Sequence, residues 1–114
     1  MKILCLSRAP LDYRGGIPYY CFNLYRHINF QVENFSYDLS GKISKKLTRT
    51  FSNINETVFP SQFITGTLAF SLEYIFTIIK NNREFSIIHI QHPDPLSAIS
   101  VIIAKLINRK LKII

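Results

Sequence analysis

The residues best suited to chemistry fall in three places. The first is the loop 8–16, Arg-Ala-Pro-Leu-Asp-Tyr-Arg-Gly-Gly, which ends in Arg14-Gly15-Gly16 ahead of a helix-like run. Adjacent glycines let a backbone approach a phosphate closely, and a helix N-terminus attracts its charge. Arg14 adds a guanidinium for a charge-assisted contact. The pattern falls short of the dinucleotide fingerprint and of the Walker loop, which need further glycines or a Gly-Lys pair. A plain strand-to-helix turn would use the same residues, so this loop alone fixes no ligand.

The second place is Ile87-Ile88-His89-Ile90-Gln91-His92-Pro93-Asp94-Pro95, a strand running into a proline-bracketed loop. His92 and Asp94 are placed to touch a ligand in a cleft, or to cap the helix that follows. His89 lies inside the strand and reads as a hydrogen-bonded core histidine. No third ligand stands at a metal-binding spacing, and no Ser or Cys is in register for nucleophilic catalysis. No metal, cofactor or catalytic residue is therefore assigned. The third place is Lys42, Lys45, Lys46 and Arg49, with Phe51 nearby. No interleaved aromatic platform accompanies these charges, so nucleic acid is not the expected partner. They read as a solvated face or as a contact for an anionic membrane surface, at about 1 kcal/mol per charge.

Elements must hold these groups in place. At 114 residues the chain suits one small domain, and its 47% hydrophobic content suffices for a core. The net charge of +7 calls for an anionic partner without choosing among nucleic acid, lipid headgroups and phosphorylated small molecules. Cys5 and Cys21 are far apart, and Cys5 sits in an apolar run, so a disulfide framework is not expected and a reducing cytosol is. The N-terminal apolar run is too short for a signal peptide. Without such a signal, the sequon Asn55-Glu56-Thr57 reads as chance. Residues 63–79 approach the length of a membrane span, but Glu73 inside them favours a buried core helix.

Along the chain, Lys2–Ser7 reads as a buried strand, and Ile17–Ile28 as a helix burying Ile17, Cys21, Leu24 and Ile28. Gln31–Tyr37 is a weaker strand, residues 38–55 a polar loop, and Glu56–Phe59 a short strand. A long helix is predicted from Ser61 or Gln62 to Asn82, with Gly66 lowering helix propensity in its first turns. Ser86–Gln91 is the next strand. A helix over Leu96–Asn108 should bury Ile99, Ile102, Ile103 and Leu106, and Lys112 opens another strand. Alternating strands and helices predict an α/β fold: a Rossmann-like parallel sheet with helices on both faces. In such a sheet ligands bind beyond the carboxyl ends of the strands, where both candidate loops lie.

These residues also carry a likeness. The opening Lys2-Ile3-Leu4, the Gly15-Gly16-Ile17 turn into a helix bearing Asn23-Leu24, and Ile87–Ile90 leading to His92-Pro93-Asp94-Pro95 resemble one known family. It is the N-terminal domain of retaining GT-B-fold glycosyltransferases of family 4, which includes bacterial enzymes of polysaccharide assembly. Order and spacing fit over essentially the whole chain, although Ser86 stands where the family strand commonly has aspartate. The resemblance implies that Gly15 and Gly16 lie against the diphosphate of a nucleotide-sugar donor. Arg14, His92 and Asp94 would face the cleft or the saccharide or lipid-linked acceptor. It further implies that residues 1–114 are an incomplete, acceptor-side domain, lacking the donor-binding domain and inactive alone. The expected setting is cytoplasmic, peripheral at the inner membrane face. Two alternatives stand beside it: a non-catalytic basic binding module, or half of a two-chain glycosyltransferase.

Overall fold

The computed structural model describes residues 2–7, 23–51, 53–65, 68–91 and 94–114. Its elements are β1 (Lys2–Leu6), β2 (Gln31–Tyr37), β3 (Leu47–Phe51), β4 (Ile54–Phe59), β5 (Phe63–Thr65), β6 (Leu68–Phe70), α1 (Leu72–Lys80), a 3-10 turn (Asn82–Glu84), β7 (Ile87–Ile90), α2 (Pro95–Ile107) and β8 (Lys112–Ile113). Residues 23–25 are also helical. The main sheet runs β3-β4-β2-β1-β7-β8. Neighbours from β4 to β8 pair in parallel, and β3 closes the edge antiparallel to β4. The fold is thus α/β with a mostly parallel sheet.

Helices cover both faces, as alternation within each strand requires. On one face Leu4, Leu6, Phe35, Tyr37, Phe59 and Ile88 pack against Tyr74 and Ile78 of α1 and Leu96, Val101 and Ala104 of α2. Tyr74 is the largest fully buried side chain, set edge-on to Tyr37 and Phe59. On the other face Ile3, Cys5, Val32 and Ile54 meet Tyr25 and Ile28. Fully burying each such apolar side chain contributes about 1.5–3 kcal/mol.

Four expectations need correction. Residues 47–51 form a strand rather than loop, paired with β4 so that Arg49 stands opposite Glu56. The long helix does not start at Ser61 or Gln62: β5 and β6 pair antiparallel there, with Phe63 stacked on Phe70 at 5.5 Å. Ser71 then caps α1, its Oγ accepting from Tyr74 N and donating to Pro60 O at 2.7 Å. Among the described residues no helix is long and apolar enough to cross a membrane.

The third correction concerns residues 23–28. Leu24 is exposed and Tyr25 buried, and the helix gives way to a turn at 26. Asn53 Nδ2 ends it by donating to the carbonyls of Tyr25, Ile28 and Phe30 at 2.8–3.0 Å. The fourth is the orientation of α2. Ile99, Ile102, Ile103 and Leu106 are exposed, and the buried residues are Leu96, Ser97, Ser100, Val101 and Ala104. The reason lies in the contacts that α2 makes. Ser97 is tied into a buried hydrogen-bond chain with Asp94 and Tyr74, Ser100 Oγ returns to Leu96 O at 2.7 Å, and the small Ser and Ala side chains let α2 sit close to its neighbours.

Candidate functional site

The strand order reverses between β1 and β7. From β1 the chain moves to β2 on one side, and from β7 to β8 on the other. This is the topological switch point at which open α/β sheets bind ligands. Gln91 N donates to Leu6 O at 3.0 Å, so the chain leaves β1 at Ser7 and β7 at Gln91 side by side. Residues 8–22 follow the one and 92–93 the other. Arg14, Gly15, Gly16 and His92 lie outside the described residues, as does Cys21. What the structure describes is the sheet surface at the ends of β1 and β7.

That surface is polar where a parallel sheet is normally a run of Val and Ile. On the face that carries Tyr25, the strand register sets His89, Cys5, Asn34, Glu56 and Arg49 in one row across five strands. One pleat nearer the carboxyl ends stand Gln91, Ser7 and Ser36. Asn34 Nδ2 donates to Ser7 Oγ at 3.0 Å, and Gln91 Nε2 to Cys5 Sγ at 2.8 Å. Arg49 Nε donates to Glu56 Oε1 at 3.1 Å, compensating a carboxylate that has no exposed surface. Arg49 is therefore engaged in an ion pair, unlike Lys42, Lys45 and Lys46, which are exposed in the preceding loop.

The row does not use all its hydrogen-bonding capacity. Asn34 Oδ1, Ser36 Oγ, Gln91 Oε1 and Tyr25 OH are buried and have no hydrogen-bond partner among the described residues. Each such group costs about 1–3 kcal/mol unless water or a ligand meets it. Two amide oxygens that accept and two hydroxyls that donate or accept suit a hydroxyl-rich molecule. Neither Asn34 nor Ser36 was singled out from sequence. Their signal was a polar pair alternating with Phe35 and Tyr37 in what proved to be a central strand.

His89 lies beside Tyr25, ring centroids 5.7 Å apart and nearly perpendicular. Burial holds its pKa below the ordinary 6.5, so the ring is neutral at pH 7. His89 is thus partly buried beside a ring, not the hydrogen-bonded core histidine read from the sequence. Asp94 is the N-cap of α2: Oδ1 accepts from Ser97 N at 3.0 Å and Oδ2 from Ser97 Oγ at 2.7 Å. Because the single Ser97 hydroxyl hydrogen goes to Asp94, the 2.7 Å contact between Tyr74 OH and Ser97 Oγ must be donated by Tyr74. Burial pushes the Tyr74 hydroxyl well above its ordinary pKa, so it stays protonated for that role. Of the two roles open to Asp94, capping is the one its contacts fill.

Asp38, at the carboxyl end of β2, anchors the next loop by accepting from Ser40 N, Ser40 Oγ and Ile43 N at 2.6–3.2 Å. Burial alone would raise its pKa, but these hydrogen bonds outweigh burial and hold it below the ordinary carboxylate value. Among the described residues no group of three His, Cys, Asp or Glu side chains could hold a metal ion.

No family model matches the chain, and no curated protein matches it. A solved structure described as trehalose-6-phosphate from E. coli bound with UDP-2-fluoro glucose aligns with a TM-score of 0.43 and 10% identity. The alignment covers 79% of this chain and 27% of that one, so this chain spans about a quarter of its length.

Proposed function

We propose that this chain is the acceptor-side part of a retaining glycosyltransferase, which moves a sugar from a nucleotide sugar to a saccharide or lipid-linked acceptor in the cytosol. The observation that carries the reading is the set of buried polar atoms with no partner among the described residues: Gln91 Oε1 beside the switch point, and Asn34 Oδ1 and Ser36 Oγ on the adjoining β2. They are buried hydrogen-bonding capacity left unmet in a sheet that is otherwise apolar, and a ligand hydroxyl or water that reached them would satisfy it. The motif resemblance supports the same place, since the loop 8–16 that ends in Gly15-Gly16 comes after β1 in the chain and His92-Pro93-Asp94 after β7. In this reading the glycines approach the donor diphosphate and Arg14 and His92 face the cleft. The transfer itself needs a donor-binding domain, so the 114-residue chain alone is expected to bind without turnover.

The test is binding followed residue by residue. Backbone amide spectra of the isotopically labelled chain are recorded with UDP-glucose, other nucleotide sugars and a panel of saccharides. Shifts should concentrate at Ser7, Asn34, Ser36 and Gln91, and spare the amino ends of the strands around Lys110–Lys112. An absence of shifts across the panel, or shifts centred on the amino ends, would remove the proposal. Sugar transfer by the isolated chain would refute the expectation that it is inactive alone.

A further inference from the structure

The main sheet ends at β3, and this edge is left open. No strand of the described residues pairs with β3 on its outer side, so alternate N–H and C=O groups along Leu47–Phe51 point away from β4. Edge strands are commonly blunted by a proline, a bulge or a very short length. β3 carries none of these. It has five residues, no Pro or Gly, and an unbroken register with β4 from Leu47 opposite Val58 to Phe51 opposite Ile54. Thr48 and Thr50 are exposed and β-branched, which suits an extended backbone. Such an edge accepts an added strand through main-chain hydrogen bonds.

The charges around the edge decide what that strand is. Lys42, Lys45 and Lys46, in the segment entering β3, are exposed. No carboxylate of residues 31–59 answers them. Glu33 lies 3.3 Å from Lys2 Nζ, Asp38 is buried and accepts from Ser40 N and Ile43 N, and Glu56 is buried against Arg49. A second copy of the chain is repelled, because two-fold pairing of β3 with itself sets like charges against each other on molecules of charge +7. An acidic strand meets the opposite field. Chain continuing past Ile114 leaves from β8, five strand spacings or about 24 Å from β3. A domain that meets the switch point covers the carboxyl ends of the parallel strands, not this lateral edge.

We infer that β3 is a docking edge for an extended acidic segment of a partner protein, which adds as a strand beside Leu47–Phe51 with its carboxylates set against Lys45 and Lys46. Main-chain hydrogen bonds supply the affinity, and the lysines select the charge while discouraging self-pairing. The turn that leads to the lysines is already held by Asp38, whose two carboxylate oxygens accept from Ser40 N at 2.9 Å and Ile43 N at 3.2 Å. That limits the ordering that binding costs. The inference goes beyond sugar transfer and does not rest on it.

The probe is a fluorescein-labelled peptide of alternating glutamate and valine, followed by fluorescence anisotropy against the 114-residue chain. Binding is expected, weakened by salt, and lost when lysine replaces the glutamates. A counterpart N-methylated along its backbone keeps every carboxylate but cannot form the ladder, so it should not bind. At about threefold per exposed charge, Lys45→Gln/Lys46→Gln should lower affinity about tenfold. The control Lys110→Gln/Lys112→Gln removes the same charge at the far edge and should lower it far less. Amide exchange should slow along residues 47–51 when the peptide binds, and stay unchanged at Ser7, Asn34, Ser36 and Gln91. Equal binding of the N-methylated peptide, or equal losses from the two lysine pairs, would reduce the effect to net charge and overturn the inference. So would absence of binding, protection centred on β8, or a dimer of the free chain that already protects residues 47–51.

Discussion

Substitution of Ser97 by alanine is the most informative perturbation of this fold. Ser97 Oγ sits in a buried chain, receiving from Tyr74 OH at 2.7 Å and donating to Asp94 Oδ2 at 2.7 Å. Its removal deletes a charge-assisted bond, about 1.5–3 kcal/mol, and strands the Tyr74 hydroxyl as a buried unpaired donor, about 1–3 kcal/mol. The backbone cap from Ser97 N to Asp94 Oδ1 remains. The expected cost is about 3–4 kcal/mol, a large part of the 5–15 kcal/mol typical of a domain. Tyr74→Phe deletes only the bond into Ser97, whose hydrogen still meets Asp94, so about 1 kcal/mol is lost.

The double variant decides whether the chain acts as a unit. With the Tyr74 hydroxyl gone, Ser97→Ala strands nothing, and the pair should cost about 2–2.5 kcal/mol rather than the 4–5 kcal/mol of the separate losses. The coupling of about 2 kcal/mol is measured by urea unfolding of all four proteins, with m constant across the cycle. Additivity within about 0.5 kcal/mol, or a Ser97→Ala cost below about 1 kcal/mol, would refute the reasoning. It would also remove the explanation for the orientation of α2.

Three further outcomes test other parts of the molecule. Ala104→Leu should cost about 1–3 kcal/mol by overpacking a fully buried position, whereas Ile102→Ser on the outer face should change stability by no more than about 0.5 kcal/mol; urea midpoints with the order reversed would show that the helix faces the other way. Asn53→Ala should cost about 2 kcal/mol, because one side-chain amide serves the carbonyls of Tyr25, Ile28 and Phe30; hydrogen exchange should quicken around residues 26–30. Burial lowers the pKa of His89 below 6.5, so the unfolded chain binds more protons than the folded one in that range. Its contribution is present above pH 6.5 and lost as pH falls through the folded value; an NMR titration of His89 at or above 6.5 would contradict this.

Much of the architecture was legible because parallel strands announce themselves. Ile3–Leu6 and Ile87–Ile90 are short apolar runs bounded by loop residues, and both strands formed where expected. The β5–β6 pair was misread because a run of apolar residues does not distinguish strand from helix. The discriminating cues were β-branched Ile64 and Thr65 before Gly66, and a capping serine at 71 instead of 61. The orientation of α2 was hidden for a different reason. Both Ile99-Ile102-Ile103-Leu106 and Leu96-Ser97-Ser100-Val101-Ala104 have helical spacing, and the more apolar stripe was assigned to the core. Tyr74 reversed that choice through its contact with Ser97, 23 residues away, which no local pattern encodes. The polar row at the switch point was equally hidden, because Asn34, Cys5 and His89 become neighbours only through sheet register.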